Sequence, residues 1–303
     1  MNGVPSDLAR SVVALHGAAG VEWLNRLPSV MADCARRWSL TITAAFEPIS
    51  YHYVAPAVQA DGRAVVVKAG FPTRELSTEI EALRLFDGRG VVRLLDADAA
   101  NGVLLLERLR PGVPLSSLTD DTQATSIAVG LMCQWWTPAP PGHPFPTVAE
   151  WAAGLDRLRA RFDGGCGPFP KALVESAEAL FAELIGSMTG PVLLHGDLHH
   201  GNIVSAERQP WLALDPKGVV GEPAYEAGAL LRNPLPRLLH ESNPRAVLAR
   251  RVDQLVEELG FDRARLVGWG LAQAVLAAWW AFEDHGQGWE VWIVCATILA
   301  ALE

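Results

Sequence analysis

At 303 residues, half of them apolar, the chain holds enough hydrophobic material for one large domain or two lobes, and its charged fraction of 19% is not that of a disordered polymer. Lys and Arg number 25 against 34 Asp and Glu, a net charge of -9 that argues against a nucleic-acid partner and is compatible with a cationic small molecule. Cys34, Cys133, Cys166 and Cys295 show no CxxC spacing, so neither a disulfide framework nor a thiolate zinc site is expected.

The opening MNGVPSDLARS has no basic stretch followed by an apolar one. The longest apolar tracts, 267–282 and 291–302, are shorter than the roughly 20 residues of a spanning helix. A cytoplasmic chain with no signal peptide and no membrane segment is therefore expected. Up to about residue 45 the pattern is helical, with Leu24, Leu27, Val30, Met31 and Cys34 on one stripe. SYHYVAPAVQADGRAVVVKAG then offers two β-rich runs around Asp61-Gly62, the signature of a hairpin. In TRELSTEIEALRLF, Leu76, Ile80, Leu83 and Phe86 recur at helical spacing behind Thr73, a candidate N-cap. VVRLLDADAANGVLLLERL supplies two more strands around Asn101-Gly102.

Beyond RLRPGVPL the reading is mostly helical to about 189, broken by the proline-rich loop PAPPGHPFP at 138–146. Short apolar runs follow, too brief for helices, and from about 226 the pattern is helical to the end. The order implies an α+β protein with a small antiparallel β-sheet lobe over 1–109 and a larger, mainly helical lobe over 110–303. The tryptophans, Trp135, Trp136, Trp279 and Trp280 among them, read mainly as core.

Between two apolar runs lies HGDLHHGNIV, residues 195–204. Flanks of this kind hold a backbone in place while Asp197, Asn202 and, farther on, Asp215 project oxygen atoms. Hard oxygen ligands suit magnesium. A magnesium-nucleotide needs a carboxylate and a carboxamide on its metals and a further carboxylate to orient the attacking hydroxyl and take its proton. Asp197 fits the last role, with Asn202 and Asp215 on metal. His195 reads as a residue holding the loop. A competing possibility places zinc on His195, Asp197, His199 and His200, but it leaves Asn202, Asp215 and Lys68 without a purpose.

HGDLHHGN matches the H-x-D-x-x-x-x-N loop of protein kinases and resembles still more the HGDLHxxN form of the aminoglycoside phosphotransferases, with LALDPKG in the place of the metal-binding D-x-G segment. LDPKGVVGEPAYEAGALLRNP, DGRGVVRLLDAD and LLLERLRPG resemble the subgroup of streptomycin 6-kinases and hydroxyurea phosphotransferases. The resemblance spans about residues 45–300 and implies a protein-kinase-like two-lobe fold. It implies Asp197 as catalytic base, Asn202 and Asp215 as Mg2+ ligands, and Lys68 as the strand lysine on the nucleotide phosphates. Glu75, Glu79 and Glu81 compete as its helix partner, and Glu79 sits beside the apolar stripe. Glu107 and Leu109 fall where backbone groups would bond the adenine edge.

The sequence departs from the kinase pattern in places. FEPISYHYVAP carries no glycine where the phosphate loop should, so Ser50 or ordinary backbone amides would serve there. Gly196 stands where regulated protein kinases carry arginine, which implies constitutive activity. Pro216 and Lys217 replace the Phe-Gly after the metal aspartate, and Lys217 offers a positive charge to the transferring phosphoryl group.

The implied function is that of an ATP- and Mg2+-dependent kinase acting on a hydroxyl of a cationic aminoglycoside, streptomycin at its 6-position foremost, with hydroxyurea or another small alcohol as the alternative acceptor. Glu283, Asp284 and Glu290, beside aromatics at a helix end, are the candidate partners of the acceptor's guanidinium groups. A monomer is favoured. The reading of a different class is a nucleotide-binding scaffold without catalysis.

Overall fold

The computed structural model describes residues 4–47, 51–235 and 237–302. It divides into two compact units, 1–110 and 111–303.

The first unit is a helix, a five-stranded antiparallel sheet and a second helix. Helix α1 (Ser6–Arg37) is interrupted at Gly17, which takes φ 53°. Strands β1 (Leu40–Ile42), β2 (Tyr53–Gln59), β3 (Ala64–Ala69), β4 (Leu94–Asp98) and β5 (Val103–Glu107) lie in the order β1-β2-β3-β5-β4, with α2 (Arg74–Phe86) between β3 and β4. The helical pattern expected to reach about residue 45 stops at Arg37. Ser39 turns the chain at φ 52°, and Leu-Thr-Ile pairs with β2 as an edge strand, where the β-branched Thr41 and Ile42 fit better than in a helix.

Period-2 alternation sorts the sheet into two faces. Val65, Val67 and Ala69 of β3, with Ala57, Val103 and Leu105, pack under Val12, Trp23, Leu24 and Leu27 of α1. Lys68, one residue out of phase, is therefore on the opposite face. There α2 follows, capped by the Thr73 hydroxyl accepting the Leu76 N–H at 3.2 Å. The two turns read from the sequence carry their glycines in the left-handed region, Gly62 at φ 87° and Gly102 at φ 71°.

The second unit is built around α10 (Arg263–His285), buried without interruption from Leu266 to Trp279. Around it lie α3 (Asp121–Trp135), α4 (Val148–Ala152), α5 (Gly154–Arg161), α6 (Lys171–Gly186), α7 (Pro223–Leu231), α8 (Arg237–His240), α9 (Pro244–Leu259) and α11 (Glu290–Ala300). Two small ladders are set among them: β6 (Val192–Leu194) pairs with β9 (Val219–Gly221), and β7 (Ile203–Ser205) with β8 (Trp211–Ala213). Arg251 of α9, 1% exposed, forks onto Asp121 of α3 at 2.6 and 2.9 Å and donates to the Leu230 and Leu231 carbonyls at the end of α7. That pairing holds the Asp121 carboxyl down to about 2 and ties the end of α7 in place. No helix among the described residues is long and apolar enough to cross a membrane.

Candidate active site

In the first unit Lys68 and Glu79 are each 5% exposed, and the Lys68 ammonium donates to both Glu79 carboxylate oxygens at 2.7 Å. Of the three competing glutamates, then, the one on the inner face of α2 meets the lysine; Glu81 pairs with Arg84 at the surface. Removing one member of a buried pair strands the other charge. Lys68→Met is expected to destabilise the protein by about 3–5 kcal/mol, and Lys68→Met combined with Glu79→Leu to recover most of that loss. Denaturant unfolding of both variants measures it. At the end of β5 the Glu107 N–H donates to the Arg93 carbonyl at 3.0 Å, and its side chain accepts the Arg93 N–H at 2.9 Å. The Glu107 N–H is thus engaged within the first unit. Ser50 lies outside the described residues.

In the second unit the polar loop leaves β6 and is clamped from several sides. His195 is fully buried; its Nε2 lies 2.8 Å from the Leu214 carbonyl, and its Nδ1 accepts the Asp197 N–H at 3.3 Å. That pairing assigns the neutral tautomer with the proton on Nε2. The His195 carbonyl accepts the N–H groups of Lys217 and Gly218 at 2.8 and 3.2 Å. Glu226 of α7, 1% exposed, reaches under the loop and accepts the His195 N–H at 2.7 Å, the Gly196 N–H at 2.8 Å and the Trp135 indole N–H at 3.4 Å. Gly196 sits at φ 88°, and a Cβ there would meet the Trp151 ring at 2.8 Å. Backbone conformation and the indole together leave no room for the arginine of regulated kinases.

Asp197, Asn202 and Asp215 are joined by short links. The Asn202 side-chain amide donates to the Asp197 carbonyl at 3.0 Å, and the Asn202 carbonyl accepts the Leu214 N–H at 2.7 Å. Ile203 pairs with Ala213 across the β7–β8 ladder, so Asn202 and Asp215 emerge from the same end of it. Asp215 takes φ 62°, an uncommon backbone for a non-glycine residue. The Lys217 ammonium bonds its carboxylate at 3.1 Å. The donor set fits magnesium held jointly with phosphates: with its NH2 engaged, Asn202 has the carboxamide oxygen to offer, and Asp215 adds a carboxylate. The zinc arrangement does not fit. Both His195 nitrogens are engaged, and no group of three His, Cys, Asp or Glu able to hold a metal occurs among the described residues.

The Asp197 carboxylate faces two nitrogens at ion-pair distance, Arg232 Nη2 at 3.6 Å from Oδ1 and His199 Nε2 at 3.7 Å from Oδ2. His199 is fixed by accepting the Gly201 N–H at 3.0 Å on Nδ1. Burial lowers the pKa of His199, pushes His195 down to about 4 and His200 to about 3, while it raises Glu226 to about 7 against the pull of its N–H donors. Below about 6.5 the unfolded chain therefore takes up protons that the three folded imidazoles refuse, and stability falls as pH drops towards 4. Glu226 acts oppositely, its folded form holding the extra proton between about 4.5 and 7, so its contribution is lost as pH rises. Three imidazoles outweigh one carboxyl. The melting temperature is expected to be lower at pH 5 than at pH 6.5; an unchanged value would contradict this assignment of protonation states.

The family described as aminoglycoside/hydroxyurea antibiotic resistance kinase matches residues 37–285. The chain belongs to that family. Among relatives of this kinase family, a streptomycin 6-kinase of Streptomyces glaucescens is 35% identical over 93% of this chain and 91% of its own. A hydroxyurea phosphotransferase of Kitasatospora aureofaciens is 35% identical over 93% of this chain and 81% of its own. Among solved structures, an aminoglycoside phosphotransferase, APH(4)-Ia, in ternary complex with ADP and hygromycin B has a TM-score of 0.64 at 13% identity, covering 90% of this chain and 97% of that one. The choline kinase LicA of Streptococcus pneumoniae has a TM-score of 0.62 at 13% identity, covering 91% and 99%. The fold is thus protein-kinase-like, as the motifs implied.

Of the acidic residues expected at the acceptor, Glu283 and Asp284 line the same open pocket. Glu283 is held bidentately by Arg157 at 2.8 and 2.8 Å, so its charge is already answered within the protein. Asp284 is exposed and lines, with Arg157, Arg161, Trp279 and Phe282, an open pocket of about 570 Å³. Glu290, also exposed, opens α11, where an acidic side chain suits the helix dipole. Three residues at the loop were not singled out by sequence reasoning: Glu226, Arg232 and Trp151. For Glu226 a signal existed, a lone carboxylate in the otherwise apolar helix PAYEAGALL.

Proposed function

We propose that this kinase transfers the γ-phosphate of ATP to a hydroxyl of an aminoglycoside, streptomycin at its 6-position. Asp197 orients the hydroxyl and accepts its proton; the hydroxyl oxygen bonds to the γ-phosphorus as the bond to the β-phosphate oxygen breaks, and ADP leaves. Asn202 and Asp215 are the residues to hold Mg2+, which when bound neutralises charge on the phosphates. Lys217 places a cation beside Asp215, and Lys68, aligned by Glu79, is the lysine for the nucleotide phosphates. Leu109 and the Glu107 carbonyl are assigned to the adenine edge, and Asp284 and Glu290 to the cationic groups of the acceptor. Catalysis by such a set comes mainly from positioning and charge stabilisation.

The observation that carries the reading is the Asp197 carboxylate on a loop pinned at His195, Gly196 and Asn202, beside Asp215, in a chain 35% identical to streptomycin 6-kinase over nearly all its length. Hydroxyurea as acceptor is the second reading, favoured by an equal identity to the hydroxyurea phosphotransferase. ADP release by the purified protein, measured as kcat/KM for streptomycin, hydroxyurea and a panel of small alcohols, separates the two. Streptomycin is expected to lead by at least about tenfold, the step that about 1.4 kcal/mol of transition-state binding produces; a lead for hydroxyurea overturns the aminoglycoside assignment.

A further inference from the structure

The Asp197 carboxylate is faced by a buried guanidinium that the phosphoryl-transfer scheme above leaves unused. Arg232 ends α7 and is 6% exposed. Its Nη1 donates to the Gln273 carboxamide oxygen, its Nη2 stands 3.6 Å from Asp197 Oδ1, and its carbon centre lies 5.7 Å from the Trp292 ring. The buried Nε has no hydrogen-bond partner among the described residues.

The seat is built for this side chain. Gln273, 1% exposed, is held by its amide on the Tyr225 carbonyl at 3.3 Å. A Cβ at residue 228 would come within 2.1 Å of the Gln273 oxygen, so glycine there leaves the carboxamide its present place. A helix capped at its end by Arg251, a glycine, a glutamine and a tryptophan thus combine to bury a cation that lacks a full set of acceptors. Burial of that kind is costly, and the anion in front of it is Asp197.

Distance is the informative quantity. A bidentate contact near 2.8 Å would engage a lone pair on each oxygen and lower the basicity that a proton acceptor needs. At 3.6 Å the charges attract and set the orientation of the carboxylate, while neither Oδ1 nor Oδ2 accepts a hydrogen bond from any described residue. We propose that Arg232 is a positioning residue of the reaction, fixing the Asp197 carboxylate by charge across a gap that leaves its oxygens open to the acceptor hydroxyl. The inference rests on Asp197 being the base of the proposed kinase reaction. In that step the acceptor proton passes to Asp197, the acceptor oxygen takes the γ-phosphoryl group from ATP, and Arg232 itself neither gains nor loses a proton.

Steady-state kinetics of wild type, R232K, R232M, D197N and the double variant D197N/R232M test it, with streptomycin, hydroxyurea and the alcohol panel as acceptors. R232M is expected to lose about 10²-fold in kcat, the scale of a misplaced reacting group. KM for ATP and acceptor should stay within about threefold of wild type, and R232K should fall between wild type and R232M. Because Arg232 acts through Asp197, adding R232M to D197N should change the residual rate by less than about twofold. Near-wild-type kcat in R232M, a loss confined to KM, or an equal further loss in the D197N background would each overturn the proposal. Should R232M not fold, R232K decides: kcat lowered at unchanged KM supports the proposal, and wild-type kcat overturns it. Normal turnover in D197N would instead remove the base assignment, and no ADP release by wild type with any acceptor would remove the kinase reading.

Discussion

Replacement of Asp197 by Asn is expected to lower kcat by about 10²–10⁴-fold, the contribution of a positioned general base, while nucleotide affinity is retained. The side chains are similar in size, and the bonds that set the loop at this point are made by the Asp197 N–H to His195 and by its carbonyl from Asn202. Neither involves the carboxylate, so the loop is expected to keep its shape while losing the proposed proton acceptor. The melting temperature should fall somewhat, because buried Arg232 then faces no charge. Turnover and nucleotide titration of the variant check the two halves separately; near-normal turnover contradicts the role of Asp197.

Substitution of Glu226 should injure stability and rate together. Its two oxygens accept three N–H groups, from His195, Gly196 and Trp135. In Glu226→Gln an NH2 replaces one acceptor and confronts a backbone N–H, leaving a buried donor unsatisfied at about 1–3 kcal/mol. Glu226→Ala empties the site and abandons all three donors, so it is the more damaging of the two. Loosening the HGD backbone moves Asp197, and a shift of about 1 Å at a reacting group costs about 10²-fold in rate. Thermal unfolding and kcat of both variants measure this, and wild-type values in Glu226→Ala would contradict the clamp.

Much of this architecture was legible in local patterns. Alternation in AVVVKA, the Asp61-Gly62 and Asn101-Gly102 turns and the Thr73 cap are short-range signals, and each has a counterpart in the sheet and α2. Lys68 at the end of a valine run and Glu79 beside an apolar stripe follow from the same periodicities, 2 for the strand and 3.6 for the helix. The strand β1 was not visible, because three residues after a long helix carry too little pattern to be separated from it, and its partner β2 lies beyond the turn. That α1 covers one face of the sheet is a tertiary fact with no local signature.

The site divides in the same way. Asp197, Asn202 and Asp215 announce themselves by chemistry within a short span. Glu226 and Arg232 lie 29 to 35 residues beyond Asp197 in the chain and reach the loop only through the packing of α7. The partner of Glu283 was hidden for the same reason: Arg157, 126 residues earlier in the chain, meets it only through the packing of the second unit.

Incubation of the purified protein with γ-labelled ATP, Mg2+ and streptomycin, followed by NMR of the product, shows where the phosphoryl group goes. The label is expected on the antibiotic as a phosphate ester at the 6-hydroxyl. Streptomycin recovered unmodified, with the label remaining in ATP or released as inorganic phosphate, would contradict it.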